Sequence, residues 1–410
     1  MTQPVNRGAS PVGYDTIAHD AEALSAQIAR LRAQIFEPDA TKALRLFTST
    51  EAAKLLGVTD SYLRHLARAG EGPEPQRLSG NRHGYSLEEI EALRVLLAKK
   101  GGAKARVIVP NRPAHEPAQI IAVANFKGGS GKTTTTAHLA QHLAMRGFRV
   151  LAVDLDPQAS LSSLFGYQPE TDVSAGETLY GAIRYDDPRP IEAVIRSTYF
   201  TNLDLVPGNL ELHEFEHETP RALLERGARE APFYARIATT LHPVADRYDV
   251  ILIDCPPQLG FLTLGALCAA SGVLVTVHPQ MLDIASMSQF LVMMADLMEV
   301  VRRAGADVSL DFFRYVLTRF EPKDGPQAQV AGFLRSLFGE RVLVNAMLKS
   351  TALADAGLSK QTLYEVGREG MNRGTYDRAL ESLDAVNGEI EALIRAVWAQ
   401  RAAAPAEAAA

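Results

Sequence analysis

The sequence has 410 residues, a net charge of −6, and apolar and charged fractions of 47% and 22%, which are typical of a soluble globular protein with two or three domains. No run of about 18 apolar residues and no apolar N-terminal segment occurs, so we expect neither a transmembrane helix nor export. Cys255 and Cys268 are too few for a disulfide framework or a thiolate metal site, which favours the reducing cytoplasm.

A heptad pattern marks the first predicted helix. Its a and d positions over about three repeats are apolar, at Ile17, Ala21, Leu24, Ile28, Leu31 and Ile35. Because this seam is narrow, pairing between two chains is at least as well supported as packing on the chain's own domain. We therefore predict a tail and a dimerisation helix within residues 1–40.

A small helical unit comes next. Thr48 and Glu51 form a capping-box pattern ahead of an apolar helix face, and Gly57 ends that helix. Thr59 or Asp60 can cap a second helix. Two helices joined by a glycine turn are typical of a helix-turn-helix motif.

The residues after this motif indicate a wing and a third helix. The stretch 79–85 is rich in turn residues and suits a β-wing, while Ser86 and Glu89 can cap a helix through Leu97. We predict a winged helix-turn-helix DNA-binding domain over residues 41–100. The alternative is a three-helix unit that binds protein.

A basic stretch leads out of this domain. Residues 92–115 contain no acid and six basic residues, Arg94, Lys99, Lys100, Lys104, Arg106 and Arg112. A charge run of this kind is most simply a solvated part of a linker, which we place at residues 101–117. The alternative is a basic stretch that assists the adjacent DNA-binding domain.

From residue 118 the pattern changes to strands that alternate with helices. Their apolar runs indicate strands buried on both faces, hence a mostly parallel sheet. The predicted strands are 120–124, 149–153, 203–206, 249–253, 273–277, 312–317 and 342–346. This predicts an α/β domain over residues 118–400 and an alanine-rich, disordered tail over 401–410.

The strongest functional signal is the glycine-rich segment Lys127–Thr133, between a predicted strand and a predicted helix over Thr133–Arg146. Small residues let backbone N–H groups surround a phosphate, and the helix N-terminus adds positive potential. Lys132 can reach the β- and γ-phosphates, and the Thr133 hydroxyl can coordinate Mg²⁺. Phe126 replaces the first glycine of the common phosphate-loop pattern. The predicted ATP-binding residues are Lys127, Gly128, Gly129, Ser130, Gly131, Lys132, Thr133 and Thr134.

Two acidic segments follow predicted strands. Asp154 and Asp156 lie where a carboxylate can orient water or a metal-bound water. Asp254 follows four apolar residues and fits a Walker-B acid that acts on Mg²⁺. The next two prolines, Pro256 and Pro257, make a stiff segment that a γ-phosphate could order.

These three segments, in this order, resemble the ParA/MinD branch of P-loop ATPases, which has a deviant Walker A loop with a signature lysine. The resemblance covers residues 118–400 and implies a dimer in which Lys127 reaches the partner's nucleotide. It also implies that Asp156 positions the attacking water and that Asp154 and Asp254, with Thr133, serve the Mg²⁺ shell. The catalytic residues would be Lys127, Lys132 and Asp156.

Two features narrow the resemblance. The helix-turn-helix domain ahead of the ATPase is similar to that of large plasmid-partition ParA proteins, and Leu348–Val366 resembles the RepA proteins of repABC replicons. The resemblance implies a cytoplasmic, nucleoid-associated homodimer that segregates plasmids with a ParB-type partner, called RepB, and represses its own operon in the ADP state. Residues 392–410 show no basic amphipathic membrane helix, so we expect no membrane partner.

Two sets of residues are candidates for DNA contact. In the helix-turn-helix domain the set for a major groove is Ser61, Tyr62, Arg64, His65 and Arg68, with Asn81, Arg82 and His83 on the wing. On the ATPase domain a surface that binds DNA through phosphates alone would use Arg319, Arg341, Lys349 and Lys360. Each of these four side chains could equally be an ordinary solvated residue.

The sequence therefore predicts a partition ATPase that uses ATP and Mg²⁺. One alternative is a transcription regulator whose ATPase only switches operator binding. A second is an enzyme that couples ATP to small-molecule chemistry, against which the sequence offers no further constellation of acid, base and nucleophile. Sequence-independent DNA binding with ATP would favour partition over the first, and ATP turnover with DNA and partner alone would favour it over the second.

Overall fold

The structure is a computed structural model that describes residues 13–35, 42–78, 82–100, 112–113, 116–225, 231–306, 308–368 and 371–403. Contacts divide the chain into two compact units, residues 1–42 and 43–410. The first unit contains helix α1 (Tyr14–Ile35). Ile17 and Leu24 of its heptad seam are 66% and 63% exposed, whereas the side chains of Ile28, Leu31 and Ile35 lie outside the described set.

The second unit begins with the predicted winged helix-turn-helix. Its elements are β1 (Phe47–Thr48), α2 (Ser49–Leu56), α3 (Asp60–Arg68), β2 (Gln76–Leu78), β3 (Arg82–Tyr85) and α4 (Leu87–Lys99). The strands form an antiparallel sheet in the order β1-β3-β2, and the tip of the wing, residues 79–81 with Asn81, lies outside the described residues.

Local side-chain hydrogen bonds explain the boundaries of these helices. Thr48 and Glu51 form the capping box of α2, and Gly57 ends that helix with φ of 66°. Thr59, not Asp60, caps α3. Ser86 and Glu89 form the capping box of α4.

The rest of the second unit is built on a seven-stranded sheet. Its strands are β4 (Gln119–Ala124), β5 (Val150–Asp154), β6 (Arg196–Ser197), β7 (Leu203–Val206), β8 (Val250–Asp254), β9 (Gly272–Val277) and β10 (Phe312–Leu317). The order is β10-β9-β4-β8-β5-β7-β6, and all neighbours are parallel except β6 and β7.

Helices cover both faces of this sheet. They are α5 (Lys132–Met145), α6 (Ser160–Leu164), α7 (Leu179–Ile183), α8 (Leu212–Glu225), α9 (Phe233–Leu241), α10 (Phe261–Ala269), α11 (Met281–Arg303), α12 (Gly325–Phe338), α13 (Thr351–Leu358), α14 (Leu363–Val366) and α15 (Arg373–Ala403). Short 3₁₀ turns occupy Ile191–Ala193, His242–Arg247 and Gly339–Arg341.

Strand residues alternate between two apolar cores. Ile121, Val123 and Leu252 face the core that contains α5 and α15, whereas Ala122 and Ile253 face the core beneath α8 to α11. The first core continues into the winged helix-turn-helix through Leu56, Leu63, Leu66 and Leu93. The winged helix-turn-helix and α/β modules therefore share one core and form one compact unit.

The predicted strand 342–346 is wrong. Val342 makes only an isolated bridge to Tyr315, and the N–H of Leu343 donates to the carbonyl of Tyr315. The next two N–H groups, of Val344 and Asn345, donate instead to the Glu389 carboxylate of α15 at 2.8 and 3.0 Å. Those donors are no longer available for strand pairing, so the ladder stops.

Helix α11 combines length with high mean hydropathy. Its 23 residues have a mean hydropathy of 1.5 over an 18-residue window, so length and composition alone would allow a crossing, and 22% of that window is buried. It connects the neighbouring parallel strands β9 and β10, which is the position of a crossover helix. Its inner side packs through Met287, Phe290 and Met294.

Candidate nucleotide site and DNA-reading surface

The predicted ATP-binding residues lie in the loop between β4 and α5. Gly129 and Gly131 have φ of 73° and 91°, which glycine adopts without steric strain. No described side chain caps α5, whose N-cap is Gly131, so the first N–H groups of the helix are left for a ligand. Such a helix N-terminus at the end of a glycine loop fits a phosphate.

Two neighbouring strands hold this loop in place. Thr318, just beyond β10, donates from its hydroxyl to the Ser130 carbonyl at 2.7 Å, and the hydroxyls of Thr276 on β9 and Ser130 are 3.0 Å apart. A Cβ on Gly131 would lie 3.3 Å from the Thr318 side chain. Sequence reasoning missed both threonines, although each lies at the carboxyl end of a predicted strand.

The Lys132 side chain points into the loop. It is 6% exposed, and its Nζ donates to the Lys127 carbonyl at 3.2 Å. Burial lowers the pKa of Lys132, while the carboxylate of Asp254 acts in the opposite direction. A buried ammonium bonded only weakly to a carbonyl is suited to receive the charge of a phosphate.

Thr133 and Asp254 form the candidate Mg²⁺ site. The Thr133 hydroxyl donates to Asp254 Oδ2 at 2.7 Å, and the Thr136 hydroxyl donates to Oδ1 at 3.3 Å. Burial and the nearby Asp154 carboxylate raise the pKa of Asp254 to about 8, so a cation would complete this site electrostatically. The described residues contain no group of three or more His, Cys, Asp or Glu that could hold a metal. The pair fits Mg²⁺, which often takes one or two protein oxygens and completes its shell with phosphate and water.

Asp154 lies beside Asp254 in the sheet, and its carboxylate accepts hydrogen bonds from neighbouring residues of the chain. Ser162 donates to Asp154 Oδ2 from its N–H at 2.8 Å and from its hydroxyl at 2.7 Å, and the Asp156 N–H donates to Oδ1 at 3.2 Å. Burial raises the pKa of Asp154 to about 7. Asp154 thus holds the loop that carries Asp156, and sequence reasoning missed its partner Ser162.

Asp156 is half-buried beyond the end of β5, and Oδ1 accepts the Gln158 N–H at 2.9 Å. The Lys127 ammonium pairs with Asp283 at the start of α11 in the same chain, and Asp283 also lies 3.1 Å from His278 Nδ1. Sequence reasoning missed Asp283, which is far from the phosphate loop along the chain. The two come together because β9, which precedes Asp283, lies next to β4 in the sheet. Lys127 is 43% exposed, so it sits at the surface of the loop.

The four basic residues proposed for sequence-independent DNA contact have different surroundings. Arg319 has φ of 51°, and its Nη1 donates to the Gly129 carbonyl of the phosphate loop at 3.3 Å. The Lys349 N–H donates to the carbonyl of Phe320, the residue after Arg319, so Lys349 lies close to Arg319. The Lys349 ammonium forms a 2.8 Å ion pair with Glu321. Arg341 lies over the Phe338 ring at the end of α12, and Lys360 is half-buried after α13.

The residues proposed for operator reading are exposed wherever the structure describes them. Ser61, Tyr62, Arg64, His65 and Arg68 of α3 are all exposed, while Leu63 and Leu66 face the core. Arg64 forms a 2.5 Å ion pair with Asp60. On the wing Arg82 and His83 are exposed, and so is Arg77, which is paired with His83 across β2 and β3. Sequence reasoning missed Arg77.

Comparisons with known proteins agree with this architecture. Residues 118–304 match the AAA domain family, and residues 47–100 match the MerR HTH family of regulatory proteins. The fold and site thus define a P-loop ATPase with a parallel sheet that carries a helix-turn-helix domain at its amino-terminal side. The predicted fold class is confirmed.

Relatives identify the family. A replication protein A from Rhizobium rhizogenes is 56% identical over 379 residues, which is 92% of this chain and 94% of the relative. SopA from Escherichia coli (strain K12) is 30% identical over 369 residues, 88% of this chain and 92% of SopA. The chain belongs to the ParA-type family of partition ATPases. The expected resemblance is confirmed, including the likeness to proteins named replication protein A.

Solved structures show the same fold. A structure described as a partition protein superposes with a TM-score of 0.59 at 17% identity, covering 92% of this chain and 98% of that one. A variant of McdA from Cyanothece in complex with ATP gives a TM-score of 0.54 at 19% identity, covering 67% and 96%. The roles of individual site residues stay predictions.

Proposed function

We propose that this protein is a plasmid-partition ATPase that binds ATP with Mg²⁺ on the loop from Lys127 to Thr134 and hydrolyses it. The observation that carries this proposal is the buried Lys132 ammonium beside the hydrogen-bonded pair Thr133 and Asp254, at the uncapped N-terminus of α5. Phosphoryl transfer depends mainly on such positioning and electrostatic stabilisation. Mg²⁺ would neutralise phosphate charge, while Asp156 would orient the attacking water.

Hydrolysis would take place in a dimer. Lys127 sits at the surface of the loop, where a second chain can approach it. Its ammonium now pairs with the Asp283 carboxylate, and such an ion pair can be exchanged for another anion. Exchange of that carboxylate for a nucleotide phosphate of the second chain would make ATP the link between two ATPase faces.

The dimer would bind DNA in two ways. With ATP, phosphate contacts from aligned ATPase faces would hold any sequence, which would place the protein on the nucleoid. Through α3 and the wing, the protein would read an operator and repress its own operon. A ParB-type partner on the plasmid would stimulate hydrolysis and release the sequence-independent contact.

A second function is favoured by the match to MerR-type regulators, namely an ATP-switched repressor that binds only its operator. Electrophoretic mobility with ATP, with ADP and without nucleotide separates the two. If the protein acts in plasmid partition, it should bind random DNA in the presence of ATP but not with ADP or without nucleotide, and the binding should depend on DNA length. Binding that remains restricted to an operator fragment in every nucleotide state would overturn it and support the repressor.

A further inference from the structure

Arg94 is a buried cation at the junction of the two modules. Its side chain is 2% exposed, although its position in a basic run favoured a solvated residue. The guanidinium pairs with Glu91 of the same helix at 3.0 Å, which balances its charge. Nη2 donates to the carbonyl of Met145, the last residue of α5, at 2.7 Å.

The end of α5 is shaped to receive this arginine. The last carbonyls of a helix lack partners within the helix and carry negative potential, so a guanidinium bonds well there. Gly147 follows with φ of 89°, and a Cβ on it would lie 2.6 Å from Arg94 Nε. A side chain at position 147 would therefore expel Arg94 as well as strain the backbone.

A second contact ties the helix-turn-helix to the other end of α5. Arg45, just ahead of β1, donates from Nε to the Tyr364 carbonyl of α14 at 3.1 Å. The adjacent Leu363 N–H donates to His138 Nε2 at 3.3 Å. His138 Nδ1 lies 2.7 Å from the carbonyl of Thr134 in the first turn of α5, and since Nε2 is the acceptor, Nδ1 carries the proton.

We propose that Arg94 is a positioning residue that couples nucleotide binding to operator reading, with α5 as the connecting element. The 14 residues of α5 span about 21 Å, from the phosphate loop to the carbonyl that Arg94 holds. A displacement of the loop end by nucleotide is carried along this single helix to α4. Recognition helix α3 follows α4 because α2 packs against both helices.

The coupling obeys two thermodynamic limits. Such coupling requires two positions of α5, one with nucleotide and one without. Nucleotide can change operator affinity by no more than the ratio of its own affinities for these two positions. The effect is reciprocal, so operator DNA changes nucleotide affinity by the same factor. We expect a factor of at least about fivefold between nucleotide-bound and nucleotide-free protein.

The test compares full-length wild type, Arg94→Met and Lys54→Met. Methionine keeps much of the volume of the buried arginine, which cores often tolerate. Lys54 is the control because its ion pair with Asp384 also bridges the modules, at 3.3 Å, yet its side chain is 80% exposed and bonds a side chain of α15, whereas Arg94 is buried and bonds the backbone of α5 directly. Arg94→Lys, which keeps a cationic donor, supplies a second variant should methionine prevent folding.

The first readout is hydrogen exchange, which needs no DNA. In wild type and Lys54→Met, ADP with Mg²⁺ should change exchange rates in residues 49–99. In Arg94→Met that change should be much smaller, since only the Arg45 contact and the shared core remain, while protection of α5 by nucleotide persists. An unresponsive wild-type helix-turn-helix overturns the proposal. A response in Arg94→Met as large as that of wild type also overturns it. If Arg94→Met does not fold, a full response in Arg94→Lys overturns it, because lysine cannot bond Glu91 and the Met145 carbonyl with the forked geometry of arginine.

The second readout rests on the operator binding proposed above. In Arg94→Met the ratio of operator affinities with and without ADP should fall toward one, whereas Lys54→Met keeps the wild-type ratio. A purely structural role would instead lower both affinities and leave the ratio unchanged, which would contradict coupling. If no operator is bound by wild type but hydrogen exchange responds, the proposed repressor activity fails while the coupling stands.

Discussion

At the scale of single residues, the site depends on where charge is buried. Lys132, Asp154 and Asp254 are all nearly inaccessible, and burial is the largest influence on the pKa of each. An ammonium and two carboxyl groups held in a low-dielectric site interact strongly with phosphate and cation. Burying these groups without nucleotide costs free energy, and binding of phosphate and Mg²⁺ would lower that cost by supplying opposite charge.

Lys132→Ala should abolish useful ATP affinity or turnover. Removing a buried cation from the loop forfeits roughly 3 kcal/mol or more of transition-state stabilisation, a rate loss above about 100-fold. Because burial already disfavours its charge, the substitution should not lower the melting temperature without nucleotide. Wild type should gain about 2.7 kcal/mol of stability at ATP near 100 times Kd, and the variant almost none. Equal ATPase rates would refute the assignment.

Asp156→Ala should bind ATP but hydrolyse it slowly, which would trap the dimer. Beyond β5 the Asp156 backbone N–H donates to Asp154, and the Asp156 carboxylate accepts the Gln158 N–H at 2.9 Å, so none of its described hydrogen bonds is made to the phosphate loop. Single-turnover hydrolysis and nucleotide affinity, measured on the same preparation, separate the two steps. Loss of ATP affinity would assign Asp156 a structural or metal role.

At the scale of elements, α1 has a clear apolar seam with an exposed start. Ile17 and Leu24 are 66% and 63% exposed. Three heptads make only a weak coiled coil in water, so other parts of the protein would have to assist. Its predicted role in dimerisation is independent of nucleotide, because the seam contains no phosphate-binding group.

Deletion of residues 1–40 should therefore weaken self-association without nucleotide. Sedimentation velocity across a concentration series should show wild type as a dimer and the truncated protein shifted toward monomer. The truncated protein should still bind ATP, since α1 belongs to a compact unit distinct from the ATPase. Unchanged sedimentation of the truncated protein would remove α1 from the dimer interface.

At the scale of the whole molecule, two DNA activities should separate by surface. Arg64→Ala should weaken operator binding by roughly 1–3 kcal/mol of base discrimination while leaving ATP-dependent binding to random DNA largely intact. Lys349→Ala should lower binding to random DNA and reduce its salt slope by about one phosphate's share. Titrations of both DNAs at several salt concentrations measure each effect. Equal damage to both activities by both substitutions would indicate a single DNA surface.

The sequence by itself determined the features whose partners are close neighbours in the chain. The capping boxes at Thr48 and Ser86 each join residues three positions apart, and the phosphate loop and the acids Asp154 and Asp254 follow apolar strands directly. Short spacing makes such geometry a property of the local backbone, so residue type and order suffice to predict it.

Only the tertiary structure decided the contacts made across long separations. Arg94 bonds a carbonyl 51 positions away, Arg319 bonds Gly129 across 190 positions, and Glu389 diverts the predicted strand 342–346 from 45 positions away. A charged residue in a basic run has the same local signature whether it is solvated or buried. Its partner is chosen by how helices pack on the sheet, because a buried charge is stable only where packing supplies its hydrogen bonds.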